Sequence, residues 1–156
     1  MSTAPPRATK SPVPIADCRL AAAIDIIGER WTLLILRAAM YGVRRFDDFQ
    51  AELGCPRTVL SGRLKKLTEA GLMARRPYRE PGKRERHEYV LTPAGRALQP
   101  ALVSLTQWGD SHLAGGAPGP VGFADAETRS PVRAGFVDRE GREVAPERLR
   151  VKLRRG

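Results

Sequence analysis

The feature that most constrains the fold is segment 46–71, in which two short amphipathic stretches meet at a Gly-Cys-Pro corner. Residues 46–53 carry two carboxylates at their start, where they favour the positive end of a helix dipole, and Gly54 follows. Pro56 is expected at the first position of the next helix, where its missing N–H does no harm. That helix is expected to run to residue 69 or 70, before Gly71. Two helices with so short a connection predict a helix-turn-helix.

The second of these helices has one apolar and one polar face. Leucines spaced four and three residues apart form the inward stripe at about 100° per residue. Small or hydrogen-bonding side chains lie opposite, early in the helix, where this motif contacts base edges. The glycine costs about 1 kcal/mol relative to alanine, which close approach to DNA would explain; crowding against another helix is the alternative. The stripe is Leu60, Leu64 and Leu67, and the predicted base-contacting residues are Thr58, Ser61, Gly62 and Lys65.

Charge is concentrated in two blocks of a chain whose formal net charge is +10. Residues 55–92 carry ten positive and four negative side chains, and residues 129–156 carry nine and four. A basic block beside a helix-turn-helix predicts contacts with DNA phosphates, which supply affinity and salt sensitivity but no sequence choice. Any single arginine here could equally be a solvated surface charge. The predicted phosphate contacts are Arg57, Arg63 and Lys66 in the helix and, in the wing (the β-hairpin expected within residues 72–91), Arg79, Lys83, Arg84 and Arg86.

Two helices are expected ahead of this motif. Asp17 is predicted to cap the first, whose apolar residues recur with helical spacing and which ends at Gly28. The second is expected over about residues 31–41, and its composition leaves little polar face, so we expect it to be largely buried.

A basic hairpin and a long helix are expected after the motif. Strands over 72–78 and 87–91 flank a charged loop that contains a Pro-Gly turn. Thr92 and Pro93 are expected to begin a helix of about twenty residues, ~30 Å long. Its apolar stripe suits a seam between two copies of the chain, and packing within one subunit is the alternative. The predicted dimer seam is Leu20, Ile24, Leu98, Leu102, Leu105 and Trp108.

The termini differ in composition from this central part. Residues 132–137 and 148–153 have strand character, with a turn expected at 138–141. We expect four regions: a flexible arm at 1–16, a DNA-binding and dimerisation domain at 17–114, a Gly/Pro-containing linker at 115–128, and a basic extension at 129–156 that forms a small β-hairpin.

Several function classes are not expected. His87 and His112 stand apart from any nucleophile or metal-ligand spacing, so we expect no enzyme, cofactor or metal site. No segment approaches the roughly 18 apolar residues of a membrane span, and the N-terminus lacks a secretory signal. These features predict a cytoplasmic protein, associated with the nucleoid when bound to DNA. An RNA-binding protein would share the charge but needs an aromatic platform on its strands. A winged helix used for protein interaction is an alternative.

Five motifs in order are similar to those of HxlR-type regulators. They are CRLAAAIDIIGERWTLLILR at 18–37, RFDDF at 45–49, LSGRLKKL at 60–67, EAGL at 69–72 and YVLTPAGR at 89–96, and the resemblance covers about residues 17–113. It implies a mainly α fold with a small β-hairpin (α+β), a winged helix-turn-helix that dimerises through its N-terminal and long C-terminal helices. It also implies a bacterial transcription factor, expected to be a repressor, whose homodimer binds an inverted-repeat operator in double-stranded DNA.

The two cysteines raise the question of thiol sensing. Cys18 is expected at a helix start, where the dipole lowers a thiol pKa, and in branches of the resembled family a thiol there senses oxidants or electrophiles. A small buried hydrophobe is the alternative. Cys55 stands where the family usually has Ser or a similar cap, and its oxidation would weaken DNA binding directly. A regulator that responds to a small molecule without thiol chemistry is a further alternative. A MarR-like regulator of this kind would have a longer N-terminal dimer helix, which the sequence does not indicate.

Overall fold

The computed structural model describes residue 11 and residues 13–153. Most of the arm predicted at 1–16 therefore lies outside the described residues. Short 3-10 helices occur at Ile15–Asp17, Ala114–Gly116 and Pro146–Arg148. The main elements are α1 (Arg19–Ile27), α2 (Arg30–Met40), α3 (Phe46–Leu53), α4 (Arg57–Glu69), β1 (Met73–Tyr78), β2 (Arg86–Leu91), α5 (Pro93–Arg96), α6 (Gln99–His112), β3 (Phe136–Val137) and β4 (Glu143–Val144).

The core lies where α2, α3 and α4 meet the base of the β1–β2 hairpin. The leucine stripe of α4 is fully buried, as its spacing predicts, and α2 contributes four buried residues. Each buried Leu, Ile or Phe stabilises the fold by about 1.5–3 kcal/mol relative to exposure. The buried apolar residues are Ile35, Leu36, Ala38, Phe49, Cys55, Leu60, Leu64, Leu67, Met73 and Leu102.

The corner between α3 and α4 is set by two residues. Gly54 ends α3 with φ of 62°, in the left-handed region that glycine adopts without a Cβ penalty, and its N–H donates to the Gln50 carbonyl at 2.9 Å. Pro56 is the N-cap of α4 (ψ 137°), one residue earlier than the first helical position predicted for it. Its carbonyl accepts the first helical bond, from Leu60 N–H at 2.9 Å.

The start of α1 differs from the expectation. Asp17 does not cap the helix, because it lies in the 3-10 turn Ile15–Asp17, and Cys18 is the N-cap without a side-chain cap bond. The Cys18 N–H donates to Ile15 O at 3.0 Å and thereby closes that turn. The helix ends at Gly28, as predicted.

The predicted hairpin is confirmed, and a short segment before α3 pairs with its second strand. β1 and β2 are antiparallel, from Met73↔Leu91 at the base to Tyr78↔Arg86 near the tip. Arg45 forms a bridge with Glu88, and the Tyr89 N–H donates to Arg44 O at 2.7 Å. The two residues before α3 therefore join the wing to the helix-turn-helix.

The predicted twenty-residue helix is two helices, α5 and α6. Thr92 caps α5 as expected, its Oγ1 accepting from Gly95 N–H at 3.1 Å. Gly95 lies so close to the chain that a Cβ there would be 2.1 Å from the Leu72 carbonyl oxygen. The break follows from Pro100, which has no N–H to donate to Arg96 O and whose ring would clash with that carbonyl.

The C-terminal extension packs on α6. β3 and β4 pair antiparallel around a turn at residues 138–141, in which Asp138 N–H donates to Arg142 O at 2.9 Å. The strand predicted over 132–137 forms only at its end, as β3, and the strand predicted over 148–153 is wrong: the partner of β3 is β4, directly after the turn, and the chain then enters the 3-10 turn that begins at Pro146. A mainly α winged helix-turn-helix with a small hairpin is confirmed. Within the described ranges, no helix has the length and apolar character to cross a membrane.

Candidate nucleic-acid interface

One face of α4 points away from the rest of the subunit. Thr58, Ser61, Gly62 and Lys65 are all exposed, as their wheel positions predict. A Cβ added at Gly62 meets no described atom within 4 Å, so crowding within the subunit does not explain this glycine. Among the described residues, Lys65 pairs with one carboxylate, that of Glu69 at 3.8 Å on the same helix. Four small or polar residues thus form a surface that a major groove can approach.

Arg57 is held at the start of this surface. Its guanidinium lies 4.8 Å from the Phe46 ring centroid and donates to Asp47 at 3.2 Å and to Gln50 at 2.8 Å. Its side chain is nonetheless well exposed. The placement agrees with the phosphate contact predicted for Arg57.

Arg63 and Lys66 have partners within the subunit. Arg63 forms an ion pair with Glu29 and is only 30% exposed, and Lys66 Nζ donates to the Asp25 carbonyl at 2.7 Å. The reason is the helical wheel: both positions flank the leucine stripe and face the junction of α1 and α2. We therefore propose that both residues anchor α4 to its own subunit and do not contact phosphates.

The predicted wing residues Arg79, Lys83, Arg84 and Arg86 are all exposed. Glu80 lies among them; ion pairs with Lys83 (2.8 Å) and Arg45 (2.7 Å) hold the pKa of its carboxyl below the usual range. Within residues 13–153, no carboxylate lies within 4 Å of the Arg79 or Arg84 guanidinium.

Sequence reasoning missed four basic residues around the wing. Arg44 and Arg45 are exposed, and they lie beside the wing because their segment pairs with β2, a contact that no local pattern indicated. The Arg45 guanidinium stacks 4.4 Å from the Tyr78 ring centroid. The adjacent pair Arg75 and Arg76 lies on β1 and belongs to the basic block, so the charge count alone could have found it.

The two cysteines have different surroundings, and both are free thiols. Cys55 is 1% exposed, and its burial raises the pKa of the thiol. A protonated, buried thiol is the opposite of a reactive one, so the structure argues against Cys55 as a redox thiol. Cys18 is half-buried at the N-cap of α1.

The predicted dimer seam divides into two groups. Leu102 is 9% exposed and Leu98 packs against the core, so both serve their own subunit. Leu20 and Ile24 on α1 and Leu105 and Trp108 on α6 are more than half exposed. The exposed four stay in the predicted seam.

The two histidines contact Arg75 and Trp108 respectively. His87 lies on β2, as expected, and its Nδ1 is 3.2 Å from Arg75 Nη2. The His112 ring stacks on Trp108 at 5.3 Å between centroids. Among residues 13–153, no three His, Cys, Asp or Glu side chains form a group able to hold a metal ion.

Solved structures resemble this chain over different shares of its length. PA1607, described as a candidate transcription factor, has a TM-score of 0.74 and 36% identity, covering 88% of this chain and 95% of that one. The redox regulator HypR in its reduced form has a TM-score of 0.56 and 26% identity, covering 62% and 95%. YodB of Bacillus subtilis, also in its reduced form, has a TM-score of 0.53 and 28% identity, covering 64% and 97%.

Sequence relatives are helix-turn-helix regulators. Rv3095 of Mycobacterium tuberculosis, an uncharacterised HTH-type transcriptional regulator, is 56% identical over 91 residues, which are 58% of this chain and 56% of that protein. YvaP of Bacillus subtilis is 37% identical over 91 residues, 58% of this chain and 82% of that protein. The match thus spans just over half the length of the mycobacterial relative. The family model described as HxlR-like helix-turn-helix matches residues 26–116. The chain therefore belongs to the HxlR-like helix-turn-helix family.

Proposed function

We propose that this protein is a sequence-specific DNA-binding transcriptional regulator, acting as a repressor. The observation that carries the proposal is the outward face of α4, where Ser61, Gly62 and Lys65 are exposed next to an exposed basic wing. In this geometry α4 lies in the major groove and supplies base contacts, while Arg57 and the wing contact phosphates. The names of the family and of Rv3095 support the same role.

The proposed active form is a homodimer. Leu20 and Ile24 of α1 and Leu105 and Trp108 of α6 are large apolar residues whose exposure a second copy would remove. A two-fold dimer presents two copies of α4 about 34 Å apart, one turn of DNA, so its operator is an inverted repeat.

The test is the affinity for two duplexes at two salt concentrations. One duplex carries the DNA upstream of the protein's own gene, and the other has the same composition in scrambled order. We expect the upstream duplex to bind at least ~10³-fold more tightly, the low end of specific recognition, and both affinities to fall as salt rises. Equal affinity for the two would remove the claim of sequence-specific control.

A second proposal is a thiol switch at Cys18 and not at Cys55. Its support is the half-buried position of Cys18 at the start of α1, a helix of the proposed seam, and the likeness to HypR, a redox regulator solved reduced and oxidised. We expect a thiol oxidant to release wild type and Cys55→Ser from the operator but to leave Cys18→Ser bound. Release of Cys18→Ser at the wild-type oxidant concentration would contradict this.

A further inference from the structure

A cleft of about 910 Å³ lies between α5–α6 and the C-terminal extension. One wall includes Pro100 and Val103 of α6, and the other includes Val132, Phe136 and Val144 of the extension. Small-molecule sites occupy about 300–1,000 Å³ and combine apolar walls with a few polar groups. The size and lining of this cleft therefore suit a small molecule.

The outer wall of the cleft is fastened to α6. The Gln107 side-chain amide donates to Val132 O at 3.0 Å and accepts from Ala134 N–H at 2.9 Å. Nearer the end of the helix, Asp110 Oδ1 accepts from Gly119 N–H at 2.8 Å. These hydrogen bonds, between side chains of α6 and backbone groups of the linker and the extension, hold the outer wall at a fixed distance from α6.

The charged residues of the cleft leave one positive charge uncompensated. Arg133 and Glu143 form an ion pair with each other. Arg96 donates to the Leu91 carbonyl at 2.7 Å, and within the described residues no carboxylate lies within 4 Å of its guanidinium. An arginine at an apolar cleft favours an anionic group on the ligand, since its planar guanidinium binds carboxylates and similar oxyanions bidentately.

The apolar wall has surface left to bury. Phe136 is 44% exposed although it lines the cleft, and Val132 is exposed to a similar degree. An aromatic or aliphatic body inside the cleft would cover both side chains and gain about 25 cal/mol per Å² of buried apolar surface. The last described residues, 149–153, do not line the cleft, and their apolar side chains are exposed, so this part of the tail does not occupy it.

Helix α6 connects the cleft to the proposed dimer seam. At about 100° per residue, Leu102 faces the core, Val103 and Gln107 lie on the flank beneath the extension, and Leu105 and Trp108 lie on the opposite flank. A ligand that pushes the extension or α6 therefore acts on the helix that carries the seam.

We propose that this cleft binds a small, largely apolar monoanion, of the aromatic carboxylate or sulfonate class, and that the bound anion alters operator affinity. The proposed binding depends only on the geometry and charge of the cleft. The proposed effect of the bound anion on operator affinity rests on the proposed function above.

The first experiment measures binding without DNA. The probe is 1-anilinonaphthalene-8-sulfonate, whose fluorescence rises on burial, and its neutral counterpart is N-phenyl-1-naphthylamine, which lacks the sulfonate. The full-length variants are Arg96→Gln, Arg96→Lys and Phe136→Ala, with Arg139→Gln in the exposed β3–β4 turn as the control.

Each variant has its own expected result. Arg96→Gln weakens the sulfonate probe about tenfold, the loss of one charge-assisted interaction, but leaves the neutral probe unchanged, and Arg96→Lys recovers part of the loss. Phe136→Ala weakens both probes, and Arg139→Gln weakens neither. Equal binding of the sulfonate to wild type, Arg96→Gln and Phe136→Ala would overturn the proposed site, as would an absence of binding to wild type.

The second experiment adds the operator duplex. We expect the sulfonate to change the operator affinity of wild type at least threefold and that of Arg96→Gln less than twofold at the same concentration. Probe binding without any change in operator affinity would overturn the regulatory half of the proposal. Failure of the proposed function is distinguishable, because the protein would then not prefer the operator even without probe.

Discussion

The Asp47 carboxylate joins the start of α4 to the wing, because Oδ1 lies 3.2 Å from Arg57 Nη1 and Oδ2 lies 3.8 Å from Arg86 Nη1. All three side chains are well exposed, so these pairs contribute little to stability, under about 1 kcal/mol. These pairs matter for DNA binding, because the negative charge of Asp47 lies on the surface that is proposed to face DNA. Phosphates must compete with Asp47 for both arginines.

Replacing Asp47 by Asn is expected to strengthen binding to any duplex about 3- to 10-fold, because one negative charge leaves the surface that meets phosphates. The slope of log K against log salt should steepen by about one unit. Asp48→Asn is the matched control, since Asp48 is the next residue of the same helix turn and pairs with no described basic side chain. The idea fails if the two variants bind scrambled DNA equally.

Substitutions of Arg63 and Arg84 are expected to have different effects, the first on stability and the second on phosphate binding. Arg63→Ala removes the ion pair with Glu29 that links α4 to α2 and should lower the free energy of unfolding by about 1 kcal/mol. Arg84→Ala should leave stability within about 0.5 kcal/mol but flatten the salt dependence of DNA binding. Denaturant unfolding and binding titrations on both proteins check this. A flatter salt dependence in Arg63→Ala than in Arg84→Ala would contradict the assignment.

The elements were predictable where the signal is local. Gly54, Thr92 and the leucines of α4 act through their own turn or helix face, so corner, cap and buried stripe follow from the sequence. Contacts between distant segments were not predictable. The pairing of Arg45 with Glu88 and the packing of the extension on Gln107 depend on the assembled fold.

For the candidate site, too, the sequence predicted what a local signal determines and missed what depends on distant contacts. The wheel placed Ser61 and Lys65 outward correctly, because exposure on one helix follows from its period. The wheel does not assign partners to side chains at the edge of the stripe, so it could not show that Arg63 and Lys66 have partners on α1 and α2. Pro100 was visible in the sequence, and its effect on a helix interior would have divided the last helix.

The buried thiol of Cys55 is expected to make stability fall in alkaline solution. Its folded pKa is raised, so the folded protein keeps this proton where the unfolded chain has lost it. The contribution is complete below the ordinary thiol pKa of about 8.5 and is lost as the pH rises towards the folded value. The unfolding free energy of wild type and Cys18→Ser should therefore decline above that pH more steeply than that of Cys55→Ala. Parallel pH profiles for Cys55→Ala and wild type would contradict this.

The proposed dimer depends on apolar side chains that protrude from α6. Leu105→Glu places a charge in that seam and should weaken self-association at least about tenfold, the effect of ~1.4 kcal/mol. Leu149→Glu is the control, because Leu149 has similar exposure but lies in the extension. Sedimentation over a range of concentrations measures both. An unchanged dimer in Leu105→Glu would place the seam elsewhere.

The most direct test of α4 as the DNA-contacting element is Gly62→Ala. The free protein has open space for the added methyl group, and alanine is the better helix former, so stability should rise by about 0.5–1 kcal/mol. Gly109→Ala is the matched control on α6, where the nearest atom to a new Cβ is 3.9 Å away. The account predicts that Gly62→Ala loses at least about fivefold in operator affinity, the lower end of ~1–3 kcal/mol for a disturbed base contact, while Gly109→Ala binds as wild type does. A Gly62→Ala protein that is more stable and binds its operator with undiminished affinity would contradict the claim that this face of α4 enters the groove.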